Sequence, residues 1–386
     1  MTGGGRATAD PDPGAQQGSG LQRMRDVLSG NLPDRVPFFP TIFTDHACVA
    51  CGQRFEDALV DPALGQECML KAALRYGADA VRFCMGPPAS WYDQKVVLPR
   101  DGRLVQCSRQ SGKLEGHYDL EGGGAFIPAG GRPRAESLSD VRSIRVTKAE
   151  EYLQRGCMKD VARLARLAHD RSLLVVGMCS SQTVNFMVEQ LGSPERALTL
   201  FYDDPRMACA LIDRAVAVSV EKGKAFVRSG VDCLYIGDSY ASASVISPEI
   251  YRRFCAPAYA EVAREFHGQG VFCYKHCCGN YDPLLEDLAS VGVDAMDGID
   301  PESGMSVGRT RRKVGPDLTL MGGVSCLTLL EGTPREVFDE AAQCIFEGKP
   351  GGRYVLGSAC AVPRYAPAEN LIAARDAVLK HGWYRA

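Results

Sequence analysis

The sequence predicts a (β/α)8 barrel, also called a TIM barrel, on two observations. From residue 36 onward, eight short apolar or β-branched runs alternate with longer stretches of helical periodicity, which is typical of βα units around a parallel sheet. Eight such units in a chain of 386 residues favour a closed barrel over an open sheet. The predicted strands are 36–43, 79–84, 173–179, 232–238, 271–276, 293–297, 318–323 and 353–358.

Between the strands, four segments have apolar residues that recur at three and four positions, the period of an amphipathic helix. Thr333-Pro334 places a proline at a first helical position after a hydroxyl cap, and Gly230 and Gly292 stand where a helix should end before a strand. The sequence therefore predicts helices over 65–77, 159–170, 204–230 and 333–348.

The region 86–133 interrupts this alternation with short β-prone runs, separated by turn-forming residues at 100–102 and 110–112. We interpret it as a pair of β-hairpins inserted after the second barrel strand. Such an insertion lies over the catalytic face of a barrel, so it could serve as a lid.

The first 20 residues are rich in glycine, proline, alanine and aspartate, and they bury too little apolar surface to offset the entropy of ordering them. We expect a disordered tail over 1–20 and a single domain over 21–386. The chain contains no run of eighteen apolar residues, and its N-terminus has no apolar stretch of the secretory kind. These features predict a cytoplasmic protein with no membrane partner.

The overall composition excludes some classes of partner. A net charge of −3, with 24% charged and 45% hydrophobic residues, offers no electrostatic reason to expect nucleic acid or an anionic membrane. A small molecule is the expected ligand. The sixteen cysteines are spread over a long chain without a secretory signal, where thiols stay reduced, so most of them should be buried small hydrophobes.

Three residues at predicted strand ends form a candidate zinc site. His276 ends the fifth strand, and strand alternation makes Cys278 project to the same side while Cys277 points elsewhere. Cys360 follows the eighth strand, and it can reach the other two because all strand ends of a barrel surround one pocket. Three protein ligands with an open fourth position are what a catalytic zinc requires.

Other residues offer weaker alternatives for metal binding. Cys48-Val-Ala-Cys51 has redox or zinc spacing but lacks a second nearby pair, so we favour two cysteines that line a helix. Asp297 and Asp300 follow the sixth strand and could supply a fourth zinc ligand. His46 follows the first strand, where a lone histidine is more often a polar loop residue than a ligand.

Three further residues are candidates for catalysis. Asp238 ends the fourth strand, where a carboxylate could orient the ligand imidazole or carry a proton, or equally cap the following helix. Tyr240 lies two residues further along the same loop. Arg82 lies inside an otherwise apolar strand and would need a buried anionic partner or a substrate carboxylate.

Six runs of the chain carry a family resemblance: NLPDRVPFFP (31–40), DCLYIGDSYASASVISPEIYRRFCAPAY (232–259), HCCGN (276–280), GVDAMDGIDP (292–301), LGSACAVPRYAPAENL (356–371) and the final HGWY. They resemble the uroporphyrinogen decarboxylase superfamily, and within it the cobalamin-linked methyltransferases similar to methylcobamide:coenzyme M methyltransferase. The His-x-Cys followed by a late cysteine is the specific part, and it resembles the zinc signature of that branch.

The resemblance implies that zinc binds the sulfur of a thiol, which then attacks a methyl group carried on the cobalt of a corrinoid. No Arg-Gln-Ala-Gly-Arg run, which the porphyrin decarboxylases use to bind acidic side chains, occurs near the N-terminus. Decarboxylation of uroporphyrinogen is therefore not expected. The inserted hairpins and the clustered Cys273, Cys277 and Cys278 mean that coenzyme M need not be the acceptor.

The leading hypothesis is zinc-dependent methyl transfer from a corrinoid, or another methyl donor, to a small-molecule thiol. The alternative enzyme is a lyase or decarboxylase acting on a small carboxylated substrate, with zinc as a Lewis acid. A third hypothesis is a methyl or corrinoid carrier without turnover, but the chain has no Asp-x-His-x-x-Gly corrinoid motif. A corrinoid would therefore come free or on another protein.

Overall fold

The computed structural model describes residues 18–131, 134–179, 182–276 and 278–384. Most of the predicted tail over 1–20 lies outside these ranges. The prediction of disorder is wrong for residues 18–20, the last three of this tail. Ser19 caps the first helix by accepting a hydrogen bond from the backbone N–H of Gln22. The Gly18 carbonyl also accepts a hydrogen bond from the Arg23 guanidinium, which orders the chain at this point.

Eleven strands form two sheets in the described residues. The strands are β1 Ala80–Phe83, β2 Lys95–Arg100, β3 Arg103–Ser108, β4 Leu114–Asp119, β5 Ala125–Pro128, β6 Leu174–Met178, β7 Cys233–Gly237, β8 Phe272–His276, β9 Ala295–Ile299, β10 Thr319–Val324 and β11 Tyr354–Ser358. Seven of them pair in parallel in the order β1-β6-β7-β8-β9-β10-β11. This curled α/β sheet is consistent with a TIM-barrel-like fold.

The first predicted strand forms isolated bridges instead of a regular strand. The Phe38 carbonyl accepts from the backbone N–H of Asp79 at 2.8 Å, next to β1, and the Pro37 carbonyl accepts from Leu356 of β11 at 2.9 Å. The segment therefore bonds to β11 at one edge of the seven-stranded sheet and to the residue directly before β1 at the other edge. It is not a continuous strand because Pro37 and Pro40 have no N–H to donate to a ladder.

Helices follow or precede the parallel strands in turn. In the described residues they are α1 Gly20–Ser29, α2 Thr44–Ala50, α3 Phe55–Val60, α4 Pro62–Tyr76, α5 Ser90–Gln94, α6 Leu138–Ser143, α7 Ala149–Gln154, α8 Lys159–His169, α9 Val184–Leu191, α10 Pro194–Asp203, α11 Pro205–Arg228, α12 Pro248–Ile250, α13 Ala256–His267, α14 Leu285–Ser290, α15 Val307–Val314, α16 Cys326–Glu331, α17 Pro334–Gly348 and α18 Ala368–His381. A π-helical turn spans Tyr251–Cys255, and 3-10 turns span Asp282–Leu284 and Pro301–Ser303. The four helices predicted from periodicity correspond to α4, α8, α11 and α17. Among the described helices, none combines the length and apolar character needed to cross a membrane.

Four antiparallel strands, β2 to β5, occupy the region 86–133 between β1 and β6 of the parallel sheet. This small sheet is tied to the carboxyl end of the barrel, because the Arg364 guanidinium donates to the Leu120 carbonyl in the β4–β5 turn. Arg364 lies four residues after Cys360. The insertion therefore lies beside one of the strand-end loops that carry candidate site residues.

Two apolar clusters fill the molecule. The larger one lies between the parallel sheet and the helices around it. The smaller one lines the inner face of the sheet, where Val176, Tyr235 and Tyr274 meet Met24 and Val27 of α1. Helix α1 therefore packs against the interior of the barrel at one end. The polar groups of a functional site must lie at the opposite end of the barrel.

A buried ion network anchors α1 to the start of β1. The Asp79 carboxylate accepts hydrogen bonds from Arg23 at 2.6 Å, from Arg35 at 3.0 Å and from the backbone N–H of Phe38 at 2.7 Å. Arg23 also pairs with Asp34. All four charges are largely shielded from water, so removing one partner leaves the others short of a counter-charge.

We expect Asp79→Asn to lower the free energy of unfolding by about 3–5 kcal/mol, the range for breaking a buried ion pair. The matched control is Asp339→Asn, whose carboxylate pairs with Arg335 on the exposed face of α17 and should contribute less than about 1 kcal/mol. Urea unfolding followed by circular dichroism measures both. Equal unfolding midpoints for the two variants would contradict this account of Asp79.

Candidate metal centre

His276, Cys278 and Cys360 come together at the carboxyl end of the parallel sheet. The Cys278 sulfur lies 3.6 Å from His276 Nε2, the Cys360 sulfur lies 3.7 Å from the same nitrogen, and the two sulfurs are 3.4 Å apart. His276 ends β8 and Cys360 follows β11, so the sheet brings residues 84 positions apart into contact. His276 is buried and both cysteines are half-buried, which leaves the cluster accessible from one side.

The dimensions of this triangle fit a tetrahedral metal ion. With zinc–sulfur bonds of about 2.3 Å and a zinc–nitrogen bond of about 2.0–2.1 Å, a tetrahedron would hold two sulfurs about 3.8 Å apart and a sulfur and a nitrogen about 3.6 Å apart. The observed separations lie close to these values. The donor set of two thiols and one imidazole also suits a borderline-soft cation.

Asp297 orients the imidazole of His276. Its carboxylate lies 3.0 Å from His276 Nδ1, and the two residues are register partners on β8 and β9. With Nδ1 bonded to the carboxylate, Nε2 faces the two cysteines and can serve as a ligand atom. Asp297 therefore occupies the orienting position that the sequence suggested for Asp238.

The charges of the cluster are strongly coupled. Hydrogen bonds from Cys360 and His276 lower the pKa of the Cys278 thiol to about 4. Burial alone would lower the pKa of His276, but the charge and hydrogen bond of Asp297, together with those of Cys278, outweigh burial and raise that pKa to about 9. The hydrogen bond to Cys278, together with burial, raises the pKa of Cys360. Without a metal, these shifts favour the thiolate form of Cys278, the charged form of His276 and the neutral form of Cys360.

Tyr235 forms the floor beneath the cluster, a contact that sequence reasoning missed. Its ring stacks on the His276 ring with centroids 5.5 Å apart. The ring fits because residue 237 is glycine, since a Cβ there would come within 2.2 Å of the tyrosine ring. The Tyr-x-Gly pattern before Asp238 was the available signal for this arrangement.

Asp238 serves mainly to hold the start of α9. Its carboxylate accepts from the backbone N–H groups of Thr183, Val184 and Asn185 and from the hydroxyl of Tyr259. The helix that these bonds cap is α9, which precedes Asp238 in the chain, whereas the sequence suggested a cap for the helix that follows. The carboxylate that bonds to the imidazole of the metal cluster is that of Asp297.

Tyr240 packs against the main apolar cluster, whereas Arg82 lies inside the barrel. The backbone N–H of Tyr240 donates to the Asn185 side chain, and its ring packs against the main apolar cluster. Arg82 is buried on β1 inside the barrel, with its guanidinium over the rings of Phe39 and Phe43. Of the two side chains, Arg82 has the more unusual environment, because it is a charged group buried against aromatic rings.

The remaining histidine and aspartate candidates are bonded within the fold. His46 lies in α2 rather than in a loop; its Nδ1 is 3.0 Å from the Pro363 carbonyl and its Nε2 3.1 Å from the Tyr76 hydroxyl. Asp300 caps the 3-10 turn by accepting from the backbone N–H of Glu302 and the hydroxyl of Ser303. Neither arrangement leaves the side chain directed at the metal cluster.

Burial keeps several other cysteines as neutral thiols. It raises the pKa of Cys48 to about 12 and that of Cys51 to about 11, which disfavours redox or metal chemistry there. A second group, His267, Cys273 and Asp294, lies at the opposite end of β8, where burial raises the pKa of the Cys273 thiol well above its usual range. Cys277 lies outside the described residues, so its exclusion as a ligand stays a prediction.

A family comparison covers most of the parallel sheet and the whole cluster. The uroporphyrinogen decarboxylase (URO-D) family model matches residues 122–381. The chain belongs to the URO-D family. Membership agrees with the resemblance seen in the sequence, and the matched range contains the three cluster residues and Asp297 of this URO-D protein.

Relatives of this URO-D protein are enzymes of two kinds. A methylated-thiol–coenzyme M methyltransferase from Methanosarcina mazei is 32% identical over 169 residues, which is 44% of this chain and 43% of the relative. A uroporphyrinogen decarboxylase from Chlorobium luteolum is 28% identical over 221 residues, 55% of this chain and 60% of the relative. The matches thus span about half the length of these curated relatives.

A solved structure supports the fold over nearly the whole chain. A methyltransferase from Methanosarcina mazei superposes with a TM-score of 0.71 at 20% identity and covers 94% of this URO-D protein and 98% of its own chain. At that identity the similarity establishes the architecture alone.

The lowered pKa of Cys278 predicts an unusual pH profile in the metal-free protein. Because the thiolate persists down to about pH 4, the rate of Cys278 alkylation by iodoacetamide should stay nearly constant between pH 6 and pH 8. Cys326, whose pKa burial raises to about 11, is the control, and its rate should rise about tenfold per pH unit. Peptide mass spectrometry measures both rates. A tenfold rise per unit at Cys278 would show an ordinary thiol.

Proposed function

We propose that this chain is a zinc-dependent methyltransferase that moves a methyl group from a corrinoid, or another methyl donor, to a thiol held at His276, Cys278 and Cys360. The observation that carries the proposal is the triangle of two sulfurs and one imidazole nitrogen, whose edges suit a tetrahedral zinc ion. Three protein ligands leave a fourth position for a substrate sulfur.

Zinc at this position would hold the sulfur of a bound thiol as a thiolate near neutral pH. The side chains of the chain prepare that position. Asp297 keeps Nε2 of His276 directed at the cysteines, and its neighbours lower the pKa of the Cys278 thiol. Two thiolate ligands donate negative charge, which favours a reactive substrate thiolate over strong activation of water.

The transfer itself needs only positioning from the protein. A lone pair of the substrate sulfur forms the new S–CH3 bond while the bond between the methyl carbon and its donor breaks, and the bonding electrons stay with the donor. The thiol proton passes to solvent when the thiol enters the half-exposed site. The chain lacks an Asp-x-His-x-x-Gly motif, so a corrinoid would arrive free or on a partner protein.

Two comparisons bear on the choice of reaction. The methyltransferase relative acts, by its name, on methylated thiols, and sulfur chemistry agrees with a cysteine-rich cluster. The decarboxylase relatives and the buried cation Arg82 favour the alternative, a carboxy-lyase acting on a small carboxylated substrate. The missing Arg-Gln-Ala-Gly-Arg run argues against uroporphyrinogen itself.

We expect the protein to bind about one zinc ion per chain, and Cys278→Ala or Cys360→Ala to abolish stoichiometric binding without unfolding the barrel. Asp297→Asn should lower zinc affinity about 10- to 100-fold, because it removes the group that orients His276. Cys209→Ala, on the exposed face of α11, is the control and should keep full zinc. Metal analysis together with circular dichroism tests each variant. A folded Cys278→Ala or Cys360→Ala protein with full zinc would remove that residue from the site.

We also expect methylcobalamin to lose its methyl group to an added thiol only when the protein carries His276, Cys278 and Cys360. The loss is followed by the visible spectrum of the corrinoid, and the methylated thiol by mass spectrometry. Zinc X-ray absorption should gain one sulfur neighbour near about 2.3 Å when the thiol binds. If no thiol enters the zinc shell while a carboxylic acid binds and releases carbon dioxide, the lyase alternative replaces this proposal.

A further inference from the structure

Two groups of residues at the amino end of the parallel sheet have the same arrangement of hydrogen bonds. In the first group, the Asp232 carboxylate lies directly before β7, and its Oδ2 is 2.7 Å from Nε2 of His169, the last residue of α8. The same oxygen accepts at 2.9 Å from the backbone N–H of Val175, the second residue of β6. One carboxylate therefore joins the end of a helix to two neighbouring strands.

The second group has residues in the same relative positions. The Asp294 carboxylate lies directly before β9, and its Oδ2 is 2.9 Å from Nε2 of His267, the last residue of α13. That oxygen accepts at 2.8 Å from the backbone N–H of Cys273, the second residue of β8. The groups thus differ at the strand residue, which is cysteine in the second group and valine in the first.

The first group shows that the fold does not need a thiol at this position. The side chains of Val175 and Cys273 are both fully buried, and both belong to the apolar cluster between the sheet and the helices. The valine fills this space without a polar group. In the second group, the Cys273 sulfur lies 3.8 Å from Nε2 of His267. The cysteine thus adds a third donor atom beside the imidazole and the Asp294 carboxylate.

The two groups also differ in the charge beside the carboxylate. Asp232 has a second cationic partner, because the Arg25 guanidinium donates to its other oxygen at 2.8 Å. Among the ion pairs of the described residues, Asp294 takes part only in the one with His267. A divalent cation at the first group would be repelled by the guanidinium, whereas the second group offers a carboxylate to which no arginine or lysine is paired.

The donor atoms of the second group are spaced for one metal ion. Nε2 of His267, the Cys273 sulfur and a carboxylate oxygen of Asp294 all lie within 4.8 Å of one another. A tetrahedral zinc ion would hold a sulfur and a nitrogen about 3.6 Å apart, and a nitrogen and an oxygen about 3.3 Å apart. The observed sulfur–nitrogen distance is close to this value, and the hydrogen-bonded nitrogen and oxygen need to separate only slightly. The side chains of His267 and Asp294 are 41% and 20% exposed, so an ion can enter from solvent.

We infer that His267, Cys273 and Asp294 form a second metal site, at the amino end of β8, for a borderline-soft divalent cation such as Zn²⁺. The ion would link the end of α13 to β8 and β9. On binding, the thiol releases its proton to solvent and the imidazole keeps its proton on Nδ1, so that Nε2 can bind the ion.

This second ion binds more weakly than the one at the carboxyl end of the sheet. Burial raises the pKa of the Cys273 thiol well above its usual range, so the ion must displace a firmly held proton. At the other end of the sheet, the pKa of the Cys278 thiol is lowered instead. The second site therefore fills only when zinc is in excess over one ion per chain.

Metal titration tests this inference in the full chain carrying Cys278→Ala and Cys360→Ala, a background without the cluster at the carboxyl end. Calorimetry with Zn²⁺ should show about one ion per chain, and Co²⁺ should give the ultraviolet absorption of a metal–thiolate bond. Adding Cys273→Val, the residue of the first group, should abolish both signals. Zinc should raise the thermal unfolding midpoint of the background protein but not that of the valine variant. Adding His169→Gln is the matched control, because it breaks the other histidine–aspartate bond and should leave metal binding unchanged.

Metal binding that survives Cys273→Val would overturn the inference, as would a background protein without saturable binding. Circular dichroism checks that each variant folds, and Cys273→Ser takes the place of Cys273→Val if the valine variant does not fold. If the background protein does not fold, the wild-type chain decides: it should bind about two zinc ions at saturation, and Cys273→Val about one. Equal stoichiometry in these two proteins would refute the second site. None of these outcomes depends on methyl transfer, so the proposed function is tested separately.

Discussion

The metal cluster depends on the curl of the parallel sheet, which brings the carboxyl end of β8 next to that of β11. His276 and Cys360 are 84 residues apart in the chain, yet their side chains lie 3.7 Å apart. The segment around Phe38 maintains this curl by bonding to both edges of the sheet through backbone groups. It also fixes the loop of Cys360, because the backbone N–H of Thr41 donates to the Ser358 hydroxyl, which in turn donates to the Cys360 carbonyl.

Charged side chains have different roles at the two ends of the barrel. At the amino end, Arg23, Arg35 and Asp79 satisfy one another and the polar groups nearby, so this end stabilises the fold. At the carboxyl end, Asp297 is used to polarise His276, and Cys278 is held as a thiolate. At the carboxyl end the charged groups are thus directed at a site that is open on one side, whereas at the amino end they neutralise one another. This division agrees with the general placement of catalytic groups in such barrels.

The apolar interior separates these two ends and makes the site electrostatics strong. Tyr235 and Tyr274 fill the space beneath the cluster, and both are deeply buried. In such surroundings a charge interacts more strongly with its neighbours than it does in water, which is why Asp297 and Cys278 together can raise the pKa of a buried imidazole. The same surroundings make it costly to bury the Arg82 guanidinium, which has no hydrogen-bond acceptor among the described residues.

Local periodicity and chemistry determined much of this protein from the sequence alone. Alternating runs predicted the parallel strands and helices, and the period of two, continued past the end of β8, placed Cys278 on the same side as His276. Tertiary structure decided the rest, because the remaining choices depended on neighbours distant in the chain. Only the pairing of β8 with β9 shows that the carboxylate of Asp297 bonds to the His276 imidazole, while the carboxylate of Asp238 bonds to α9. No local pattern encodes which carboxylate faces which imidazole, since that is set by strand register across the sheet.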